Sequence, residues 1–104
     1  MSRVALITDI HGNLAGLDAV LEDIARRECD ETICLGDLVD GGEHNDEVVE
    51  RIRALGLPTV VGNHDEYPAS RLKPENLSWL SELPESIIRE EIFYTHISPS
   101  AQWR

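Results

Sequence analysis

The chain has 104 residues, 41% of them hydrophobic and 28% charged, and this size and composition predict one small globular domain. Twenty acidic residues against nine basic ones give a net charge of −11, which argues against passive binding to nucleic acid or to an anionic membrane surface. No apolar run approaches the roughly 18 residues of a membrane-spanning helix, so we expect no membrane partner.

The first half of the chain alternates strand-like apolar runs with helical periods. Residues 4–7 form an apolar run of strand length, and a helix is predicted after them with Asn13 as its N-cap. A second apolar run covers residues 32–35, and a second helix is predicted over about 45–55, where Gly56 stops it. The apolar stripes of the two helices comprise Leu14, Leu17, Leu21 and Ile24 in the first and Val48, Val49, Ile52 and Leu55 in the second.

The second half adds a third strand, a short helix and an extended segment. The predicted strand covers residues 59–61, and leucines at helical spacing after it predict a short helix that ends at Pro84. Residues 87–97 are predicted to be extended, with a break near Glu90 and Glu91. Because strands alternate with helices, we expect an α/β fold with a parallel sheet and helical crossovers.

Polar residues able to bind a metal follow every predicted strand. In an open parallel sheet the carboxyl ends of the strands share one edge, where ligands bind, so we expect these residues to converge there. Each segment alone is also explained as a turn or a helix cap, but their joint occurrence favours a metal site. We interpret His44, beside the start of the second helix, as a surface residue. The residues at the strand ends are Asp9, His11, Asp37, Asp40, Asn63, His64, Asp65 and His96.

Three of these segments resemble the motifs of the calcineurin-like metallophosphoesterases. They are Asp-x-His at 9–11, Gly-Asp-x-x-Asp at 36–40 and Gly-Asn-His-Asp at 62–65, and His-x-Ser-Pro at 96–99 resembles a turn of the small bacterial branch. The resemblance covers residues 3 to 99 and implies the N-terminal half of an α/β/β/α sandwich. The last motif of the family, Gly-His-x-His, has no counterpart here. We therefore expect residues 1–104 to be a single, incomplete domain.

The resemblance implies a site for two divalent metal ions, whether Mn, Fe, Zn or Ni. Asp9 and His11 would bind the first ion, and Asn63 and His96 would bind the second. Asp37 would bridge the two ions, because a carboxylate offers two oxygens.

The resemblance also implies catalytic roles for three further residues. His64 would face the substrate, either as the general acid or as a contact to the phosphoryl group. Asp65 would fix the tautomer of His64, and Asp40 and Asp65 would both lie behind the metal ligands.

These roles imply hydrolysis of a phosphoester, either a phosphodiester or a small phosphomonoester, by a hydroxide that bridges the metals. The alternative is a non-catalytic or incomplete domain that acts as a binding or assembly module, or that needs a missing C-terminal half. A metal-sensing or scaffold module is a third, weaker alternative. If the reading frame continues beyond Arg104 to a His-x-His, the chain is an enzyme that has been cut short. A genuine stop at Arg104 would make the incompleteness a property of the protein itself.

Two further expectations concern partners and location. The apolar side chains of residues 87–97 and the free face of the sheet would lack cover, so we expect the chain to associate with itself. We interpret Cys29 and Cys34 as reduced, buried thiols, which indicates a cytoplasmic protein.

Overall fold

A parallel strand pair joined by a helix forms the first part of the fold. In the computed structural model, which describes residues 3–96, β1 (Val4–Ile7) pairs with β2 (Glu31–Cys34), so that Val4 lies opposite Glu31 and Ile7 opposite Cys34. Helix α1 (Leu14–Arg26) connects the two strands. The predicted N-cap is confirmed, because the side chain of Asn13 accepts a hydrogen bond from the backbone N–H of Gly16 at 3.0 Å.

Helix α2 (Asn45–Leu55) has the bounds that the sequence predicts. It ends at Gly56, whose φ of 65° is the left-handed conformation that glycine adopts without strain. The ring of His44, at the N-cap, is half exposed and lies 3.1 Å from a carboxylate oxygen of Glu47. The interpretation of His44 as a surface residue is therefore confirmed.

The third predicted strand, residues 59–61, is wrong in its extent. Its contact with β2 is a single parallel bridge between Cys34 and Thr59, where the N–H of Val60 donates to the carbonyl of Cys34 at 2.9 Å. The N–H of Val61 points to the opposite side and donates to the carbonyl of Pro84 at 2.8 Å. The next N–H on the side of β2, that of Gly62, donates to the carboxylate of Asp65 at 3.0 Å, so the pairing with β2 ends after one residue.

The remaining elements are two helices and a hairpin. Helix α3 (Asn63–Glu66) is a single turn that the sequence did not predict, and α4 (Pro74–Ser81) begins with proline at its first position. Strands β3 (Ser86–Arg89) and β4 (Ile92–Thr95) pair antiparallel. The predicted break near Glu90 and Glu91 is confirmed: both residues have positive φ, as a two-residue hairpin turn requires. Residue 97 of the predicted extended segment and residues 97–99 of the motif that resembles a turn lie outside the described residues.

The core lies between the parallel pair and the helices. Burial of its apolar surface is the main stabilising term of the fold. No helix in residues 3–96 has the length and hydropathy that a membrane crossing requires. The buried core cluster comprises Ile7, Leu17, Cys34, Leu38, Val39, Val48, Val49, Ile52, Leu72 and Leu80.

The two cysteines differ in their surroundings. Cys34 is fully buried, and this burial raises the pKa of its thiol to about 12. Cys29 is only half-buried, so the prediction of two buried thiols is right for Cys34 and wrong for Cys29. Both thiols are free.

Exposed apolar side chains on the hairpin predict self-association. Ile88 and Phe93 lie opposite each other across the two strands and are 65% and 50% exposed. Within residues 3–96, β1 has a paired neighbour on one side only, and Leu6 on it is 52% exposed. We expect the chain to sediment as a dimer or larger species, and the double substitution Ile88→Ser with Phe93→Ser to shift it toward monomer.

Leu77→Ser, which removes an exposed leucine from α4, is the matched control and should leave the association unchanged. A chain that sediments as a monomer at every concentration tested would contradict the prediction.

Candidate metal centre

The loops that follow β1 and β2 continue side by side beyond the strands. The backbone N–H groups of Asp9 and His11 donate to the carbonyls of Gly36 and Asp37, each at 3.0 Å. These bonds extend the parallel ladder into the loops, so the polar residues after both strands are brought to the same edge of the sheet.

Four polar residues in these loops have left-handed backbone conformations. The φ angles are 56° for Asp9, 48° for His11, 57° for Asp37 and 73° for Asp40. Residues other than glycine adopt this backbone conformation at a cost of about 1–3 kcal/mol each, and residues in such conformations cluster at functional sites. The surrounding hydrogen bonds therefore hold these four backbones in place against local strain.

Two glycines let the loops approach backbone to backbone. A Cβ atom on Gly36, whose φ is 96°, would lie 2.5 Å from the backbone nitrogen of Gly62. A Cβ atom on Gly62 would overlap the backbone nitrogen and a carboxylate oxygen of Asp37. Glycine at both positions thus allows Asn63 to follow directly beside Asp37.

A cluster of carboxylates and histidines forms where the loops meet. Ligand atoms of Asp9, Asp37 and His96 lie within 4.8 Å of one another, a spacing that a single metal ion could bridge. Oδ2 of Asp37 is 3.2 Å from Nε2 of His96 and 3.6 Å from Nε2 of His11. Oδ1 of Asp9 is 3.3 Å from the same His11 nitrogen. One Asp37 oxygen therefore faces both histidine rings.

Backbone carbonyls fix the orientation of both rings. Nδ1 of His11 lies 3.0 Å from the carbonyl oxygen of Val39, and Nδ1 of His96 lies 2.6 Å from that of Leu35. A carbonyl can only accept, so each Nδ1 carries the hydrogen and the Nε2 lone pair of each neutral ring is turned toward carboxylate oxygens. A cation between these atoms would be the natural partner of such lone pairs, and metal-binding histidines use this arrangement.

The charges in the cluster shift two pKa values. Partial burial opposes protonation of His11, but the Val39 carbonyl and the Asp37 carboxylate outweigh it and raise the pKa of His11. Burial likewise opposes ionisation of Asp9, but the hydroxyl of Thr8, which donates to Asp9 at 2.8 Å, and nearby His96 lower the pKa of Asp9. Asp9 is therefore a carboxylate at neutral pH.

Asn63 adds a neutral donor to the cluster. One atom of its side-chain amide lies 3.3 and 3.2 Å from the two oxygens of Asp37. With nitrogen there, the amide donates to Asp37. With oxygen there, three oxygens face one another without a hydrogen, which only a cation would stabilise. Carboxylate, imidazole and amide donors together suit Mn, Fe, Zn or Ni, so the residues fit a divalent metal.

Asp65 has a different role from the one that the sequence predicts. Its carboxylate accepts backbone N–H groups from Asp37 at 2.7 Å, Leu38 at 2.8 Å and Gly62 at 3.0 Å, and the residue is 2% exposed. Burial raises the pKa of Asp65 although these three bonds oppose the shift. The prediction that Asp65 fixes the tautomer of His64 is therefore wrong, since its oxygens already bind the backbone of two loops.

Asp40 is the carboxylate that orients His64. Its Oδ2 lies 3.0 Å from Nδ1 of His64 and accepts the N–H of Ala69 at 2.9 Å, while Oδ1 accepts the N–H and hydroxyl of Ser70 at 2.9 and 2.6 Å. Burial opposes ionisation, but these hydrogen bonds lower the pKa of Asp40 to about 2. The ring of His64 also meets that of His11 edge to face, at 5.2 Å between centroids.

Thr8, Ala69 and Ser70 support the cluster but were missed by the sequence reasoning. Thr8 adjoins a motif residue, and a hydroxyl beside a candidate carboxylate is a signal that could have identified it. Ala69 and Ser70 contribute mainly backbone N–H groups from a segment 29 and 30 residues away from Asp40, and no sequence pattern marks such a contact.

The sequence and the fold resemble those of known phosphoesterases. Residues 2–103 match the sequence profile of the calcineurin-like phosphoesterase family. An uncharacterised protein of Methanocaldococcus jannaschii is 38% identical over 94% of this chain. The crystal structure of a metallophosphoesterase from Sphaerobacter thermophilus is 34% identical over 85% of this chain, with a TM-score of 0.72. A second crystal structure, of a protein provisionally named a diadenosine tetraphosphatase, is 27% identical over 97% of this chain, with a TM-score of 0.80.

The chain spans about half the length of these relatives. It covers 50% of the Methanocaldococcus protein, 44% of the Sphaerobacter chain and 53% of the third protein.

Replacement of Asp65 by asparagine should destabilise the fold. The side-chain amide of Asn offers one acceptor oxygen and turns an NH₂ group toward backbone donors, so at least one buried N–H loses its partner. We expect Asp65→Asn to lower the free energy of unfolding by about 1–3 kcal/mol, measured by urea denaturation. Glu66→Gln, on the exposed neighbour in α3, removes the same charge and should change stability little. Equal stabilities of the two variants would show that the three hydrogen bonds of Asp65 contribute nothing.

Proposed function

The chain belongs to the calcineurin-like phosphoesterase family, and on that premise we propose that it hydrolyses phosphoesters at a centre of two divalent metal ions. The substrate would be a phosphodiester or a small phosphomonoester. The observation that carries the proposal is the position of one Asp37 oxygen, within 3.6 Å of the Nε2 atoms of both His11 and His96. A carboxylate so placed is suited to join two metal ions.

Five residues would hold the ions. We assign Asp9 and His11 to one ion and Asn63 and His96 to the other, with Asp37 between them. When bound, the ions would supply Lewis acidity toward phosphoryl oxygens and an activated water at neutral pH. Positive charge there would also offset part of the net charge of −11, which otherwise repels an anionic substrate.

His64 is suited to protonate the leaving group. Asp40 accepts the Nδ1 hydrogen of His64 and so fixes the orientation of the ring. Nε2 is then the nitrogen that donates a proton to the leaving oxygen as the bond from that oxygen to phosphorus breaks. The side chain of His64 is 45% exposed, so a substrate can reach it.

A domain that binds metal without turnover is the second candidate. Each proposed ion has three ligands from this chain, with Asp37 counted twice, and the chain spans about half the length of its relatives. In this case the residues present would need further ligands from another segment before they catalyse hydrolysis.

Hydrolysis of bis(p-nitrophenyl) phosphate and p-nitrophenyl phosphate separates the two candidates. After treatment with EDTA, the chain would be assayed with and without Mn²⁺, and its metal content measured by elemental analysis. Release of p-nitrophenol that depends on Mn²⁺ supports the enzyme. Metal binding without any release supports the binding module, and a chain that takes up no metal contradicts both.

Asp37→Asn should weaken binding of both proposed ions. Asparagine tolerates the left-handed backbone at this position, so the loop should keep its shape while the bridging carboxylate is lost. We expect less than half of the wild-type Mn²⁺ content after equilibrium dialysis, since each ion would lose a charged ligand. Glu66→Gln removes a charge from an exposed site and should leave the content unchanged; a normal content in Asp37→Asn would exclude the bridging role.

His64→Ala should lower turnover while metal content stays near normal. Loss of a general acid typically costs about 10²–10⁴-fold in rate, and the loss should be larger for diphenyl phosphate than for bis(p-nitrophenyl) phosphate, because phenolate is the poorer leaving group. His44→Ala, on a surface histidine, is the matched control. Equal losses with both substrates would argue against the acid role of His64.

A further inference from the structure

The two oxygens of the Asp9 carboxylate face different neighbours. Oδ1 lies 3.3 Å from Nε2 of His11, on the side of the candidate metal centre. Oδ2 accepts the hydroxyl hydrogen of Thr8 at 2.8 Å. Because the hydroxyl takes Oδ2, the carboxylate cannot exchange its two oxygens without breaking that hydrogen bond. Thr8 therefore determines which oxygen of Asp9 is turned toward His11.

The backbone on both sides of the Thr8 side chain is fixed by hydrogen bonds to the neighbouring segment. Thr8 directly follows β1, whose last carbonyl, that of Ile7, accepts the N–H of Leu35 at 2.8 Å. The N–H of Asp9 donates to the carbonyl of Gly36 at 3.0 Å. Threonine is also branched at Cβ, which restricts its side chain to few rotamers. The hydroxyl is thus presented to Asp9 from a rigid support.

The Asp9 side chain is much more exposed than the other carboxylate of the cluster. It is 53% exposed, so water competes for its oxygens, whereas the side chain of Asp37 is 5% exposed. One oxygen of Asp37 also accepts the backbone N–H of His64 at 3.0 Å. An exposed carboxylate loses rotamer freedom when it binds an ion, unless a hydrogen bond has already fixed it. Asp9 is therefore the carboxylate that gains most from a neighbouring donor.

The hydrogen bond from Thr8 also affects how many oxygens Asp9 would offer to an ion. Oδ2 shares a lone pair with the hydroxyl hydrogen and is the poorer metal ligand, which leaves Oδ1 as the single ligand atom. A carboxylate that binds through one oxygen occupies one coordination position instead of two. Positions on the ion then stay open for water or for a phosphoryl oxygen.

We propose that Thr8 is a positioning residue of the metal centre, whose hydroxyl fixes Asp9 so that Oδ1 alone binds the ion held with His11. The proposal rests on the proposed function for the presence of that ion. It assigns Thr8 no contact with the substrate or with the ion. Loss of the hydroxyl should therefore weaken the binding of one ion although every ligand is still present.

Calorimetric titration of the whole, EDTA-treated chain with Mn²⁺ tests the proposal. We expect Thr8→Val, which keeps the shape of the side chain and removes the hydroxyl, to raise the Kd of one ion about tenfold. Thr8→Ser retains a hydroxyl and should bind that ion with a Kd close to that of the unsubstituted chain. Thr32→Val, in the middle of β2, is the matched control and should change neither Kd.

The rotamer of Asp9 provides a second readout that needs no metal. Three-bond couplings between its α and β protons, measured by NMR on the EDTA-treated chain, should indicate a single χ1 rotamer. Thr8→Val should give couplings averaged over several rotamers, whereas Thr8→Ser and Thr32→Val should not. If Thr8 only stabilised the end of β1, its substitution would leave this rotamer unchanged.

Two results would overturn the proposal. They are a Kd for Thr8→Val no higher than for Thr32→Val, and an Asp9 side chain that is already averaged over rotamers in the unsubstituted chain. Failure of the proposed function has a different signature: no release of p-nitrophenol, while Mn²⁺ binding and the rotamer of Asp9 still depend on the hydroxyl of Thr8.

Discussion

The buried carboxylate of Asp65 is the contact on which the candidate site depends. It accepts N–H groups from Asp37 and Leu38 in one loop and from Gly62 in another, with lengths between 2.7 and 3.0 Å. The pKa of Asp65 is raised by burial, so the fold holds this charge at a cost that the three bonds offset only in part. The contact fixes the positions of the two loops relative to each other, because Asp37 and Asn63 cannot separate without breaking buried hydrogen bonds.

The same fixed loops explain why the polar residues tolerate unfavourable backbone angles. Left-handed backbone conformations occur at Asp9, His11, Asp37 and Asp40. The loops touch at Gly36 and Gly62, where the close packing leaves their backbones no room to relax. Strain of this kind persists only where the surrounding structure over-determines it. Here it turns carboxylates and ring nitrogens toward each other, an arrangement that either a proton on the ring or a cation between the atoms stabilises. Under the proposed function the stability of the chain would therefore depend on metal, since any ion that binds only the folded state stabilises that state.

The sequence was informative where one residue type determines local structure. Asn13 as a cap, Gly56 as a stop and the apolar runs at 4–7 and 32–35 could be read because each acts through neighbours in the chain. The convergence of the strand-end residues followed from the geometry of parallel sheets, and the structure places them together, while their roles as ligands stay a prediction. Contacts across long separations could not be read. The N–H of Val61 donates to the carbonyl of Pro84 and that of Ser70 to the carboxylate of Asp40, and no periodic pattern in the sequence indicates either hydrogen bond.

The exchange of roles between Asp40 and Asp65 has a chemical consequence. A carboxylate whose pKa lies near 2 stays ionised through the range in which histidine titrates, whereas the raised pKa of Asp65 marks a charge that burial disfavours. Asp40 is thus the better partner for a ring that must carry a proton. Because the other acceptor sites of Asp40 are filled by Ala69 and Ser70, its carboxylate cannot rotate away from His64 without releasing the loop between α3 and α4. The orientation of the candidate acid and the position of the loop between α3 and α4 are therefore set by one carboxylate.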